Sequence, residues 1–358
     1  MLSRHCSHCW ILLIVLWRVN RSIAICFLLL LNTREATSQA TVHNLVFEGA
    51  GIRGIAYSGA VKEFEQRNIL RDIQRVGGTS SGAIIALLIS IGYSSTEISS
   101  IVSNTPYQKF NDGRFFFVGG INRVNKYYGW YLGKHFQHWL GEVIKKKVGD
   151  ENITFAQLKQ KGYKDLYVTG TCLNKQSLVV FSYESYPDMK VKDAIRVSMS
   201  IPLYYEPVFL DASGKVVDHP RNKSGLDVML DGGFVANFPI KIFDSTRYFS
   251  AASVNTFAPN PETIGVRIDR EDQIENDQKG NRLAPMEVNS IKEYFAAFYN
   301  IIIENLNRQT LTNEDWQRTV SISDGNVGPK VRKLSREEVD VLIYNGAAGT
   351  KQFFSKRN

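Results

Sequence analysis

Residues 78–82 read Gly78-Thr79-Ser80-Ser81-Gly82, a serine with glycine at both ±2 positions, followed by the apolar run Ala83 to Ile91. A strand-to-helix turn sharp enough to lift one hydroxyl clear of the backbone needs neighbours almost free of side chains, so this spacing predicts a nucleophile elbow. Ser81 lacks glycine on both sides and is the weaker candidate. Upstream, apolar Leu45-Val46-Phe47 runs into Gly49-Ala50-Gly51-Ile52-Arg53-Gly54, and a stretch with helical spacing follows. Main-chain N–H groups at such a strand-loop-helix junction hold either a pyrophosphate or the oxyanion of a tetrahedral intermediate. Downstream, Val228-Met229-Leu230 reads as a strand that delivers Asp231 into Gly232-Gly233. On its own that is an ordinary Asp-Gly turn.

A serine nucleophile needs a base. In the α/β-hydrolase order the histidine comes last, and no histidine follows His219. His135 and His138 share a helix face but have no acidic neighbour in sequence, and they read as surface or core residues. Cys6-x-x-Cys9, flanked by His5 and His8, lacks the second half of a zinc site. Neither His-Glu-x-x-His nor a calcium-loop pattern occurs, so no metal and no cofactor is expected. A dinucleotide site would place an acid about 20 residues beyond the glycine loop at a strand end. Asp72 has the distance but sits in polar Leu70-Arg-Asp-Ile-Gln-Arg75. What remains is a carboxylate acting directly on the serine, and Asp231 is better placed than Asp227, which begins the same strand and has no glycines behind it. An ordinary aspartate, with a pKa near 3.9, is a weak base, so burial must raise its proton affinity.

In this order the three pieces resemble the patatin-like phospholipase family. Ser198-Met-Ser-Ile-Pro202, Asn237-Phe-Pro239, Asn260 to Asp269 and the segment from Leu334 to Phe354 extend the resemblance over about His43 to Phe354. One departure is Glu48-Gly49-Ala50-Gly51, where the family has Asp-Gly-Gly-Gly. The resemblance implies a three-layer α/β fold, with a central, mostly parallel sheet and helices on both faces. It implies a lipid acyl hydrolase in which Ser80 attacks, Asp231 accepts the proton and an acyl-enzyme forms. Gly49, Ala50, Gly51, Arg53 and Gly54 would belong to the oxyanion hole, and Gly78, Gly82, Gly232 and Gly233 would shape the two turns. Arg53 either braces that loop or meets a lipid phosphate. The implied partners are a phospholipid or other acyl lipid and a membrane surface, without nucleic acid. Hydrolysis of neutral lipids or small esters, and lipid binding with little catalysis, are the alternatives.

Positioning these residues requires alternating elements. Strands are predicted at Leu166–Cys172, Leu178–Phe181, Tyr205–Leu210, Val228–Leu230, Ile264–Ile268 and Thr319–Ser323. Helices are predicted over Trp130–Lys147 and Val288–Leu306, with a last one opened by a Ser335/Glu338 capping box, and Asp272–Asn281 is expected to be a loop. Aromatics from Phe110 to Tyr131 alternate with Lys109, Arg114, Arg123 and Lys126; this excursion suits core packing, a lipid-facing lid or a stacking surface for single-stranded nucleic acid.

The chain has 358 residues, 44% hydrophobic and 22% charged, which excludes disorder, collagen and coiled coil. Three of the four cysteines precede residue 27, so a disulfide framework is excluded. The net charge of +8 favours an anionic partner. Two short apolar runs, basic residues and Ser38-Gln39-Ala40 mark residues 1–40 as a signal peptide, cleaved after Ala40, or a retained anchor. Residues 41–358 then form one catalytic domain, secreted or held at the cell envelope. Cleavage would leave a net charge of about +5.

Overall fold

Leu45-Val46-Phe47 has no polar alternation, and such a strand is stable only inside a sheet covered on both faces. The computed structural model places it there. It describes residues 41–113, 116–250, 256–277, 279, 283–308, 310–328 and 333–357. The expected leader at 1–40, and Arg114 and Phe115 of the aromatic stretch, lie outside the described residues.

In chain order the strands are β1 (Asn44–Phe47), β2 (Arg75–Gly78), β3 (Gly129–Tyr131), β4 (Asp165–Cys172), β5 (Ser177–Phe181), β6 (Leu203–Tyr205), β7 (Val208–Leu210), β8 (Asp227–Asp231), β9 (Thr263–Asp269) and β10 (Thr319–Ser323). The helices used below are α1 (Tyr57–Gln66), α2 (Ser81–Ser90), α3 (Ser95–Asn104), α4 (Phe116–Tyr127), α5 (Lys134–Val148), α6 (Val191–Ser198), α7 (Gly233–Ala236), α8 (Ile291–Arg308) and α9 (Arg336–Ser355). The main sheet runs β10-β9-β1-β2-β4-β8-β7, with β5 also paired to β4. β10, β9, β1, β2 and β4 are mutually parallel, whereas β8 and β5 are antiparallel to β4, and β7 is antiparallel to β8.

Side chains alternate across the sheet and find a core on each face. Leu45 and Phe47 join the large core with α1, α2, α6 and α9. Val46 points the other way, into a cluster with Tyr167, Phe243 and Tyr248. Beside it Phe238, Ile240 and Leu311 form a third cluster. The mostly parallel sheet flanked by helices is the α/β architecture expected.

Three expectations need correction. Tyr205–Leu210 is two strands, because Glu206-Pro207 interrupts it: β6 pairs with β3 in a separate two-stranded sheet, while β7 joins the main one. The helix predicted from Trp130 starts at Lys134, since Gly133 takes a left-handed φ of 72° and Trp130 is used in β3. Polar Asp272–Asn281 was expected as a loop, yet Glu271–Asp277 is helical. Gln273 is buried there, donating to Asp277 at 2.8 Å and accepting from Ala284 at 2.7 Å. The capping box at Ser335 and Glu338 opens α9 as read.

Candidate active site

Ser80 sits between the end of β2 and the start of α2 with φ 53° and ψ −123°, a region that side chains rarely occupy. The flanking glycines are steric necessities. A Cβ on Gly78 would lie 2.5 Å from the Gly82 carbonyl, and one on Gly82 would lie 2.4 Å from the Phe47 carbonyl oxygen. The strained turn is held by its neighbours. Ser80 N–H donates to Ser198 Oγ at 2.8 Å, and Thr79 Oγ1 donates to the Ala236 carbonyl at 2.8 Å and meets Thr169 Oγ1 at 2.6 Å.

Sheet register brings Asp231 to this turn. Gly78 pairs with Val168 of β4, and two residues further along β4 Gly170 pairs with Asp231 at the end of β8. Ser80 lies two residues beyond Gly78, so hydroxyl and carboxylate arrive at the same level on opposite sides of β4. The Asp231 N–H donates to the Ser200 carbonyl at 3.0 Å, and its Oδ1 accepts the Gly233 N–H at 2.8 Å. The side chain is only 5% exposed, and burial pushes its pKa up to about 7 against the hydrogen bonds from Gly233 N–H and Ser80. The Ser80 hydroxyl also lies 3.4 Å from the Met199 sulfur, a weak acceptor that leaves its proton available.

The glycine loop closes over the pair. A Cβ on Gly49 would lie 3.3 Å from Ser80 Cβ and 2.4 Å from Asn237 Oδ1. Several donors named from sequence are already committed: Gly49 N–H to the Asn237 carbonyl at 3.0 Å, Ala50 N–H to Ser81 Oγ at 3.0 Å, and Arg53 N–H to the Ala50 carbonyl at 3.2 Å. Gly54 is inside the 3-10 turn Gly51–Ala56 that leads into α1. The N–H groups of Gly51 and Ile52, at the start of that turn, have no partner among the described residues. Arg53 is a brace: its guanidinium donates to the Ala50 carbonyl and to Asp324, both at 3.3 Å.

Asn237 was visible in the sequence only as part of Asn-x-Pro. Its Nδ2 donates to the Gly49 carbonyl at 3.0 Å, and its N–H donates to Asn307 Oδ1 at 2.6 Å. It therefore ties the glycine loop to the segment that leaves Asp231. Asn307, on α8, carries no local signal that would single it out. Glu48, just before the glycine loop, is buried beneath it. It accepts the Ile268 N–H at 3.2 Å, lies 3.1 Å from Arg267, and is pushed up to about 8 by burial, which outweighs Arg267.

The rejected candidates sit elsewhere. Asp227, at the far end of β8, pairs with Lys175 at 2.8 Å, and Asp72 pairs with Arg71 at 3.0 Å. His135 meets the Lys109 carbonyl at 3.0 Å and His219 meets Glu206 at 2.9 Å. Among the described residues no three His, Cys, Asp or Glu side chains are grouped to hold a metal ion.

A family model described as patatin-like phospholipase matches residues 45–244. YqhO, an uncharacterised protein of Bacillus subtilis, is 32% identical over 224 residues, covering 60% of this chain and 70% of that protein. A probable lipid hydrolase of invertebrate iridescent virus 6 is 27% identical over 199 residues, covering 55% of this chain and 62% of its relative. The crystal structure of VipD from Legionella pneumophila superposes with a TM-score of 0.53 at 16% identity, over 88% of this chain and 67% of that one, a likeness of fold.

Proposed function

The chain belongs to the patatin-like phospholipase family and is a lipid acyl hydrolase, and from that premise we propose that it cleaves phospholipid acyl esters through a Ser80–Asp231 dyad. Ser80 Oγ attacks the ester carbonyl carbon while its proton passes to Asp231. The N–H groups of Gly51 and Ile52 receive the oxyanion, an interaction worth roughly 2.7–4 kcal/mol per donor where measured. As the C–O bond breaks, Asp231 returns the proton to the leaving alkoxide and an acyl-serine remains. Water then attacks that ester with Asp231 again as base, releasing the fatty acid and restoring the hydroxyl.

The observation that carries this reading is the buried Asp231, raised to about 7, beside a serine on a strained elbow. A base with a pKa near ambient pH is ionised often enough to act and basic enough to hold a proton. We place the reaction at a membrane surface, in a protein secreted or held at the cell envelope by its N-terminal segment. The test is turnover of phospholipid and triglyceride dispersions side by side, by the wild type and by Ser80→Ala and Asp231→Asn. Faster phospholipid turnover, lost in both variants, is expected. Triglyceride turnover alone would move the substrate class, and turnover surviving Ser80→Ala would end the dyad.

A further inference from the structure

Met199, against Ser80 Oγ, leads through Ile201-Pro202 into β6, and β6 pairs with β3 at the end of α4. This small layer carries features that folding alone does not favour. Leu203 is 66% exposed and Tyr128 45% exposed, and both hold positive φ, 65° and 66°. Glycine or asparagine would sit in that conformation with less strain and without presenting an apolar side chain to water. Leu203 is the direct β-partner of Gly129, which follows Tyr128. Ile121, on α4 seven residues before Tyr128, is 52% exposed.

Cations lie on the adjoining segments. Lys126 and Arg221 are exposed. Lys223 Nζ lies 4.6 Å from the Tyr128 ring centroid and donates to the Lys126 carbonyl at 2.8 Å. The loop that holds Arg221 and Lys223 is fastened to α4 by His219, stacked on Tyr127 at 4.4 Å. Its exposed acid, Asp218, is matched by Lys134 at 3.0 Å, and Glu206 is buried against His219. Apolar side chains at a surface with a net positive border are complementary to an anionic lipid interface, where the apolar groups enter the acyl boundary and the cations meet headgroups.

We infer that the face formed by Ile121, Tyr128 and Leu203, bordered by Lys126, Arg221 and Lys223, docks the enzyme on an anionic lipid surface and brings lipid past Met199 to Ser80. The docking step deepens the hydrolase reading and is tested apart from it. The full chain carrying Ser80→Ala, which consumes no lipid under that reading, is sedimented with vesicles of phosphatidylglycerol and phosphatidylcholine in equal parts, and with phosphatidylcholine alone. Binding is expected to favour the phosphatidylglycerol vesicles. Lys126→Gln with Arg221→Gln should weaken it about 25-fold, from roughly fivefold per cation. Tyr128→Asn with Leu203→Asn should weaken it about tenfold or more. Asparagine tolerates the left-handed backbone, so these variants should melt no lower than their parent.

With Ser80 restored, the same variants of this face, the cap, should hydrolyse a monomeric short-chain ester within about twofold of wild type, because a water-soluble substrate needs no docked surface. A wild type that binds vesicles but does not turn over that ester would strike the dyad and leave docking standing. Docking on this face is overturned if the cap variants bind vesicles like their parent, or if phosphatidylglycerol makes no difference. It is equally overturned if Tyr294→Ser with Phe298→Ser, on the exposed stripe of α8, abolishes binding while the cap variants keep it, or if a single-stranded oligonucleotide binds the cap in preference to vesicles.

Discussion

Asp231 is the residue on which burial and chemistry meet. Its carboxyl is raised from 3.8 to about 7 by desolvation, so the ionised base is a minority species below neutrality. Turnover of a soluble ester should therefore fall about tenfold for each pH unit below that value and level off above it. The same shift has a stability consequence. Between the two pKa values the native state holds a proton that the unfolded state has released, so stability falls as pH rises through that window. Asp231→Asn removes this loss, and its melting temperature relative to wild type should increase from pH 5 to pH 9. A flat or reversed difference would mean that Asp231 is ionised at little cost. The glycines around Ser80 and Asp231 were legible in sequence because close backbone approach excludes every other residue. The partners of each loop N–H were not, since Asn237 and Ser81 reach Gly49 and Ala50 only through the fold.

Strand register sets the catalytic distance, and side-chain amides keep it. Asn237 links the Gly49 loop to the turn after β8, and Asn307 carries that link to α8. Asn237→Ala should lower kcat by about 10–100-fold with KM little changed, because it loosens groups that matter most in the transition state. An equal rise in KM would assign Asn237 to substrate binding instead. The continuous apolar run Leu45–Phe47 and the alternating Thr319–Ser323 were both legible from sequence alone. The β6–β7 break was not read although Glu206-Pro207 marks it, because both halves are apolar and their different partners appear only in the fold. The helix at Glu271–Asp277 was hidden by its polar composition; its order comes from Gln273 accepting the Ala284 N–H and from Asp277 bonding to Arg308, contacts outside the helix.

Across the whole molecule, the loop rests on a buried charge network. Arg267 is fully buried among Glu48, Asp269 and Glu304 at 3.1, 2.7 and 3.1 Å, with its guanidinium 5.3 Å from the Phe238 and Trp316 ring centroids. Arg308 joins Asp269 and Asp277. Arg267→Met leaves these carboxylates short of a cation and should cost about 3–5 kcal/mol, read as a lower urea midpoint. A loss below about 1 kcal/mol would show the network to be self-sufficient. No sequence pattern announces this network, because its members come from the residue after β1, from β9, from the Glu271–Asp277 helix and from α8. The central claim is of the same kind, that two distant stretches of chain meet as one catalytic unit. It is tested most directly by treating the purified protein with a fluorophosphonate and locating the adduct by mass spectrometry, in the wild type and in Asp231→Asn. The account predicts a single label on Ser80, formed at least about 100-fold more slowly in the variant. A label on another residue, or an unchanged rate without Asp231, would contradict it.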